Sequence, residues 1–179
     1  MRAMIVKGYK IEPGAQLVRA HLSDAKLKGA MLNRANLTDA GLVKADLTAA
    51  NLTNANLERA QMGLANLTNA DLTNANLAHA DLLGAKLSGA NLSGANLTGA
   101  NLNLAYLKSA NLTGASLSGA MTYRTDLTSA NLQGADLTGI LDSAQYHTTL
   151  TGADLLRYCV TLNGAKLTGA TMPDGSIHD

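Results

Sequence analysis

The chain has 179 residues, a length that suits one domain with a substantial core, and it contains neither Trp nor Phe, so that core cannot rest on large rings. A formal net charge of +1 argues against a strong electrostatic partner of either sign. Cys159 is the single cysteine, which excludes an intrachain disulfide and fits a reducing compartment.

The first element spans residues 1–14. Its apolar part, Met4-Ile5-Val6, is too short for a signal peptide, and no stretch of the chain is long enough to span a membrane, so a cytoplasmic protein is expected. Met4, Ile5, Val6, Tyr9 and Ile11 are expected to cover the start of the next element as an N-terminal cap. Pro13-Gly14 reads as the turn that joins the two.

From Ala15 to Gly139 the sequence divides into 25 consecutive pentads without an insertion. The first position is Ala in all of them except Thr125, and the third is Leu in all except Met62 and Thr122. Five residues advance an α-helix by about 140° beyond one full turn, so the leucines would form no stripe. On a flat strand an odd spacing would send successive leucines to opposite faces. A chain that turns a corner every five residues satisfies the pattern: Ala and Leu, two apart, both point inward and the residue between them points out. Four corners close a coil of twenty residues. Stacked by parallel hydrogen bonds at about 4.8 Å each, such coils form a rod of about 36–40 Å. Alanine alternates with leucine because a square this small cannot hold eight large side chains.

Units such as Ala35-Asn36-Leu37-Thr38-Asp39 and Ala95-Asn96-Leu97-Thr98-Gly99 resemble those of the pentapeptide-repeat family. The resemblance implies an all-β fold: a right-handed quadrilateral parallel β-helix, here of about 8 coils. It covers about 125 residues without a break, and more with the irregular C-terminal coils. The family is abundant in cyanobacteria and diverse in function.

Residues 140–172 are expected to form those irregular coils. Ala153-Asp154-Leu155 is displaced by three positions, whereas Val160-Thr161-Leu162, Ala165-Lys166-Leu167 and Ala170-Thr171-Met172 return to the original frame. The preferred parse makes Ile140 to His147 an enlarged corner and Tyr158-Cys159 a bulge. Residues 173–179 form the tail, opened by the turn Pro173-Asp174-Gly175. It is too short for the long dimerising helix of some pentapeptide-repeat proteins, so a monomer or a weak end-to-end or face-to-face dimer is expected.

Period twenty assigns each pentad to a face. The face starting at Ala30, Ala50 and their successors carries Thr53, Thr73, Ser93, Thr113 and Gln133 in one column and Asn51, Asp71, Asn91, Asn111 and Asn131 in another. The face starting at Ala20, Ala40, Ala60, Ala80, Ala100 and Ala120 carries Val43, Leu64, Leu83, Leu104, Met121 and Tyr123 outward, and its next unit holds Tyr146 and His147. These eight residues are the candidate partner-binding face, since apolar side chains recurring along one side can mark a partner site.

Catalytic chemistry is not expected. His21, His79, His147 and His178 fall in different coils without metal-ligand spacing, so no metal site is expected. Cys159 has no evident His partner, and Asp46, Asp71 and Asp126 occupy slots that Asn also fills, which suggests a solvated polar role. Corner glycines such as Gly84 and Gly94 form no phosphate loop, and no cofactor is expected. The leading functional reading is a non-enzymatic interaction, scaffold or regulatory protein that binds an unknown protein partner through the apolar face. Two alternatives remain: a DNA-mimicking protector of a type II topoisomerase such as gyrase, which the resemblance suggests, and ice binding through a Thr column. The excess of nine Lys/Arg over five Asp/Glu in residues 1–64 lacks interleaved aromatics, so direct nucleic-acid binding is poorly supported.

Overall fold

Each pentad builds one edge and one corner of a coil. The computed structural model describes residues 4–140, 160–161, 164–173 and 175–179. The second residue of a pentad forms a parallel bridge with the residue twenty positions on, as Gln16 does with Asn36 and Asn51 with Asp71. Its N–H donates to the coil before (Asn36 to the Ala15 carbonyl, 2.9 Å), and the third residue's N–H donates to the coil after (Leu17 to the Asn36 carbonyl, 2.7 Å). The corner closes when the next alanine donates back to the leucine carbonyl, as Ala20 does to Leu17 at 3.0 Å. With a turn every five residues and a bridge every twenty, the coil has four sides. Coils stacked through backbone bonds in this way make an all-β solenoid.

The fifth residue of the pentad is the third of each four-residue turn, where positive φ marks a type II turn. All 25 corners of residues 15–139 have positive φ at this position, nine at glycine and sixteen at other residues, from Arg19 (55°) to Ser129 (57°). The left-handed corner is therefore a requirement of the fold and not a privilege of glycine. Inter-coil bonding holds it in place, because the corner N–H donates to the next coil (Arg19 to the Thr38 carbonyl, 2.9 Å).

Backbone pairing uses four of the five N–H groups of a pentad. The fourth residue's N–H remains, and this explains the Asn or Asp at position two. Its side-chain oxygen accepts that N–H, from Thr38 to Asn36 at 3.2 Å and from Thr73 to Asp71 at 3.0 Å. Where the fourth residue is Thr, its hydroxyl usually donates to the same oxygen, as in Thr53 to Asn51 at 2.8 Å. The Thr48 hydroxyl and N–H on Asp46 hold that carboxyl below its ordinary pKa. Asn side chains also bond one another from coil to coil, as Asn76 does to Asn56 at 3.0 Å. The Asn and Asp columns are thus structural.

Ala and Leu fill the interior, and Leu22 through Leu117 are almost wholly buried. Thr122 and Thr125 break the pattern within one coil. The buried Thr125 hydroxyl donates to the Leu102 carbonyl at 2.8 Å, whereas the buried Thr122 hydroxyl has no partner among the described residues.

At the N-terminal end β1 (Met4–Val6) and β2 (Tyr9–Ile11) pair antiparallel. Ile11 is buried, and Val6 and Tyr9 pack against the core. Ile5 stays exposed with Lys10 on the outer face, because a two-stranded ribbon has only one face to give to the core; Met4, opposite Ile11 at the open end of the ribbon, is exposed as well. The Tyr9 hydroxyl accepts the His21 N–H (3.1 Å), the Lys7 ammonium donates to the Ser23 carbonyl, and the Gly14 N–H donates to the Asn33 carbonyl (2.9 Å). Pro13 and Gly14 form the turn that the sequence suggests, with Gly14 at φ 72°.

Beyond Gly139 the stacking offset changes. β3 (Thr125–Asp126) pairs parallel with β4 (Val160–Thr161), Asn131 pairs with Lys166, and Asp136 pairs with Thr171. The offset is 35 residues where it was 20, so fifteen additional residues enter between Ile140 and Val160. Fifteen is a multiple of five, and Leu167, Ala170 and Met172 accordingly point inward again. Ile140 is buried; the rest of the expected enlarged corner, and the expected Tyr158-Cys159 bulge, lie outside the described residues. The tail turns at Pro173, with the Gly175 N–H on the Met172 carbonyl (2.9 Å), and Ile177 pairs antiparallel with Thr171.

Two contrasts between similar sites probe these features of the coil. A methyl group on Gly94 would lie 2.3 Å from the Asn74 side-chain oxygen, while one on Gly114 would meet nothing within 4 Å. Both glycines are left-handed. Gly114→Ala is expected to cost about 1 kcal/mol for its backbone alone, and Gly94→Ala more; urea denaturation measures both. Thr122→Val removes an unpaired buried hydroxyl and is expected to raise stability by about 1 kcal/mol, whereas Thr125→Val is expected to lower it by a similar amount. Thermal melting reads the two signs.

Candidate partner-binding face

The edge that starts at Ala20, Ala40, Ala60, Ala80, Ala100 and Ala120 presents two outward columns near its corner. The fourth positions run Ser23, Val43, Gly63, Leu83, Asn103 and Tyr123, and the corner positions run Asp24, Lys44, Leu64, Gly84, Leu104 and Arg124. The structure brings Leu64, Leu83, Leu104 and Tyr123 together on this side with relative exposures of 56%, 40%, 44% and 39%. Val43 and Met121 are half-buried beside them. Tyr146 and His147 lie outside the described residues.

Leu64 and Leu104 occupy left-handed corners, at φ 59° and 60°. Among the sixteen non-glycine corners they are the only large apolar residues, and both sit in one column. A left-handed backbone costs an L-residue roughly 1–2 kcal/mol, with Asn and Asp bearing it best. Leu64 leans over Gly84, where an added methyl would approach its Cδ2 to 2.9 Å. Gly63 lies between Val43 and Leu83 in the adjoining column, where an added methyl would touch Asp81 Oδ2 and the Leu83 carbonyl at 3.8 Å each.

Tyr106, exposed at 52%, stands one corner away from Leu104 on the neighbouring face. It is absent from the residues that the sequence singles out, although it takes a second-position slot that Asn and Asp usually fill; that departure was the available signal. Its backbone bridges Lys86 and Asp126. Lys44 and Arg124 bracket the two leucines along the corner column, and the Arg124 guanidinium lies 5.2 Å from the centre of the Tyr123 ring. Asp81 accepts the Leu83 N–H at 3.2 Å and the Asn101 amide at 2.9 Å through Oδ1, with its Oδ2 beside Gly63.

The rest of the described surface offers little chemistry. Asp39 sits between Arg19 and Arg59, and chiefly the Arg59 hydrogen bond holds its carboxyl below the ordinary range. Among the described residues no group of three His, Cys, Asp or Glu side chains could hold a metal ion. No helix among them is long and apolar enough to cross a membrane.

Residues 15–140 match the family model described as pentapeptide repeats, in overlapping windows at 15–54, 30–69, 65–103, 85–121 and 105–140. The chain belongs to the pentapeptide-repeat family. It is similar to HetL, a pentapeptide repeat protein involved in heterocyst differentiation regulation from the cyanobacterium Nostoc sp. (36% identity over 92% of this chain and 77% of HetL; TM-score 0.48). It is also similar to Rfr23, a pentapeptide repeat protein from the cyanobacterium Cyanothece (34% identity, 75% and 64% covered, TM-score 0.23). A further similarity is to QnrB1, a plasmid-mediated fluoroquinolone resistance protein (20% identity, 87% and 82% covered, TM-score 0.44). Comparison with curated protein sequences gives no match.

The corner leucines yield a prediction about stability. Asn favours the left-handed backbone and Leu does not. The double variant Leu64→Asn, Leu104→Asn is therefore expected to melt no lower than the wild type, as differential scanning calorimetry would show.

Proposed function

We propose that this chain is a non-enzymatic interaction module, a scaffold or regulatory protein that binds a protein partner through the face carrying Val43, Leu64, Leu83, Leu104, Met121 and Tyr123, with Tyr146 and His147 in its continuation. The observation that supports it is the exposure of Leu64, Leu83, Leu104 and Tyr123 in successive coils on one side. Two of these residues are held in a backbone conformation that disfavours them. The reading includes a cytoplasmic location, and a monomer or a weak end-to-end or face-to-face dimer. It takes the rod as a right-handed solenoid of about eight coils, with residues 1–14 as N-terminal cap, 15–139 as regular solenoid, 140–172 as irregular coils and 173–179 as tail.

The interior is filled by Leu and Ala, and the Asn, Asp and Thr columns are engaged in the repeat's own hydrogen bonds, which leaves recognition to the residues outside that scheme. A DNA-mimicking protector of a topoisomerase would need a strongly acidic rod, and the formal charge of +1 does not favour it. Ice binding would need Thr hydroxyls turned to a lattice, whereas those of Thr53, Thr73 and Thr113 donate to Asn51, Asp71 and Asn111.

Affinity capture from native lysate tests the proposal, comparing wild type with the Leu64→Asp, Leu83→Asp, Leu104→Asp variant after circular dichroism has shown that it folds. The expected outcome is a protein held by the wild type and lost by the variant. Retention of every captured protein by both would move the site off this face.

A further inference from the structure

The apolar side is fringed by charges of both signs, and their order along the rod is informative. From coil to coil the corner column reads Asp24, Lys44, Leu64, Gly84, Leu104 and Arg124. Asp24, Lys44 and Arg124 are exposed, and none of them makes an ion pair among the described residues. Asp24 and Arg124 stand five coils apart, about 24 Å, too far to pair within one rod. Such a fringe does not select a partner of one sign. It selects a surface with the same order of charges reversed.

A second copy laid antiparallel is such a surface. When the six coils of two rods overlap completely, about a two-fold axis between the levels of Leu64 and Gly84, each column meets itself reversed. Asp24 then faces Arg124 of the second copy at both ends, Lys44 lays its alkyl stem beside Leu104, and Leu64 faces Gly84. Leu64 leans over the Gly84 of its own chain, which carries its side chain toward the axis, where its counterpart arrives. In the adjoining column Leu83 faces Gly63, and Asp81, whose Oδ2 lies beside Gly63, faces the exposed Gln61 amide. Around the corner, Lys26 faces Asp126 and Asp46 faces the exposed Tyr106. In none of these columns do like charges meet.

Other arrangements lose this match. Parallel rods would set Asp24, Lys44 and Arg124 each beside its own copy. An antiparallel pair slipped by one coil sets Lys44 on Arg124 in one direction. In the other it leaves Asp24 against Leu104 and Lys44 against Gly84, both without a counter-charge. The corner N–H groups are already used within the rod, Leu64 on the Leu83 carbonyl and Leu104 on the Tyr123 carbonyl at 2.8 Å each, so side chains decide the register.

We propose that this side is the interface of an antiparallel homodimer, with Leu64, Leu83 and Leu104 at its centre and reciprocal Asp24–Arg124 and Lys26–Asp126 ion pairs toward its ends. The inference rests on reading this face as an interaction surface and names a second copy of the chain as its occupant. A corner ridge buries less area than a flat face, so the dimer is weak, with a dissociation constant on the order of 100 µM.

Sedimentation velocity of the full chain from about 10 µM to about 1 mM tests it. The wild type is expected to dimerise, and about 0.5 M salt to weaken the dimer. Asp24→Arg alone and Arg124→Asp alone each bring like charges together at both ends, and each should weaken association at least about tenfold. Both variants should fold, as circular dichroism would show, because Arg19 and Asp39 already stand at left-handed corners. Two recoveries are specific to the antiparallel pairing. An equimolar mixture of the two single variants, and the double variant Asp24→Arg, Arg124→Asp, should each associate as strongly as the wild type. A monomer at every concentration, single variants that associate like the wild type, or a mixture that does not recover overturns the inference. The interaction-surface reading would survive that result if a protein captured from lysate is still lost with Leu64→Asp, Leu83→Asp, Leu104→Asp. A dimer that persists in this leucine variant places the contact elsewhere and overturns the inference, and retention of every captured protein by the same variant would remove both readings.

Discussion

One backbone constraint organises the molecule: every fifth residue must be left-handed. The corner it makes brings Ala and Leu of each pentad to the inside and leaves the second, fourth and fifth residues outside. It also leaves the fourth N–H pointing away from the neighbouring coils, and the short polar side chain at position two answers it. The Ala-Asn-Leu-Thr-x pattern thus follows from one geometric demand together with a complete account of the backbone donors. No pentad could meet that demand alone, because each corner is held by bonds to the coil that succeeds it.

The architecture was legible because the interior speaks through two residue types at fixed spacing. Ala15 and Leu17 recur so regularly that the square coil can be drawn from the sequence. The polar positions were less legible. Asp46, Asp71 and Asp126 alternate with Asn in the sequence and so look merely solvated, yet each carboxylate accepts the N–H two residues on. Substitution between Asn and Asp conceals a hydrogen bond that both can accept. The corners misled in another way: glycine advertises positive φ, but Arg19, Leu64 and Ser129 do not, and only the tertiary bonds show that they share it. Thr122 and Thr125 were visible as departures from the repeat, but the sequence could not say which hydroxyl finds a carbonyl and which does not.

The candidate face was legible in outline for a related reason. Leu64, Leu83 and Leu104 stand out because neither the core nor the hydrogen-bond scheme requires an apolar residue there. What the sequence did not convey is the cost, since an exposed leucine on a strand is ordinary whereas an exposed leucine at a left-handed corner is strained. Tyr106 escaped notice because the corner places it on the next face in any face-by-face reading, although it stands beside Leu104 in the fold.

Stacked strands with identical residues in register are also the geometry of cross-β fibrils, which grow because each end templates the next layer. The described end coils offer the same template, but the terminal segments turn across it. Lys7 on Ser23, Tyr9 on His21 and Gly14 on Asn33 occupy groups at one end. Gly169 on His178, His178 on Ala170 and Met172 on Ser176 do so at the other. These six hydrogen bonds, few beside the dozens that stack the coils, take up backbone groups at each end that a further layer would otherwise use.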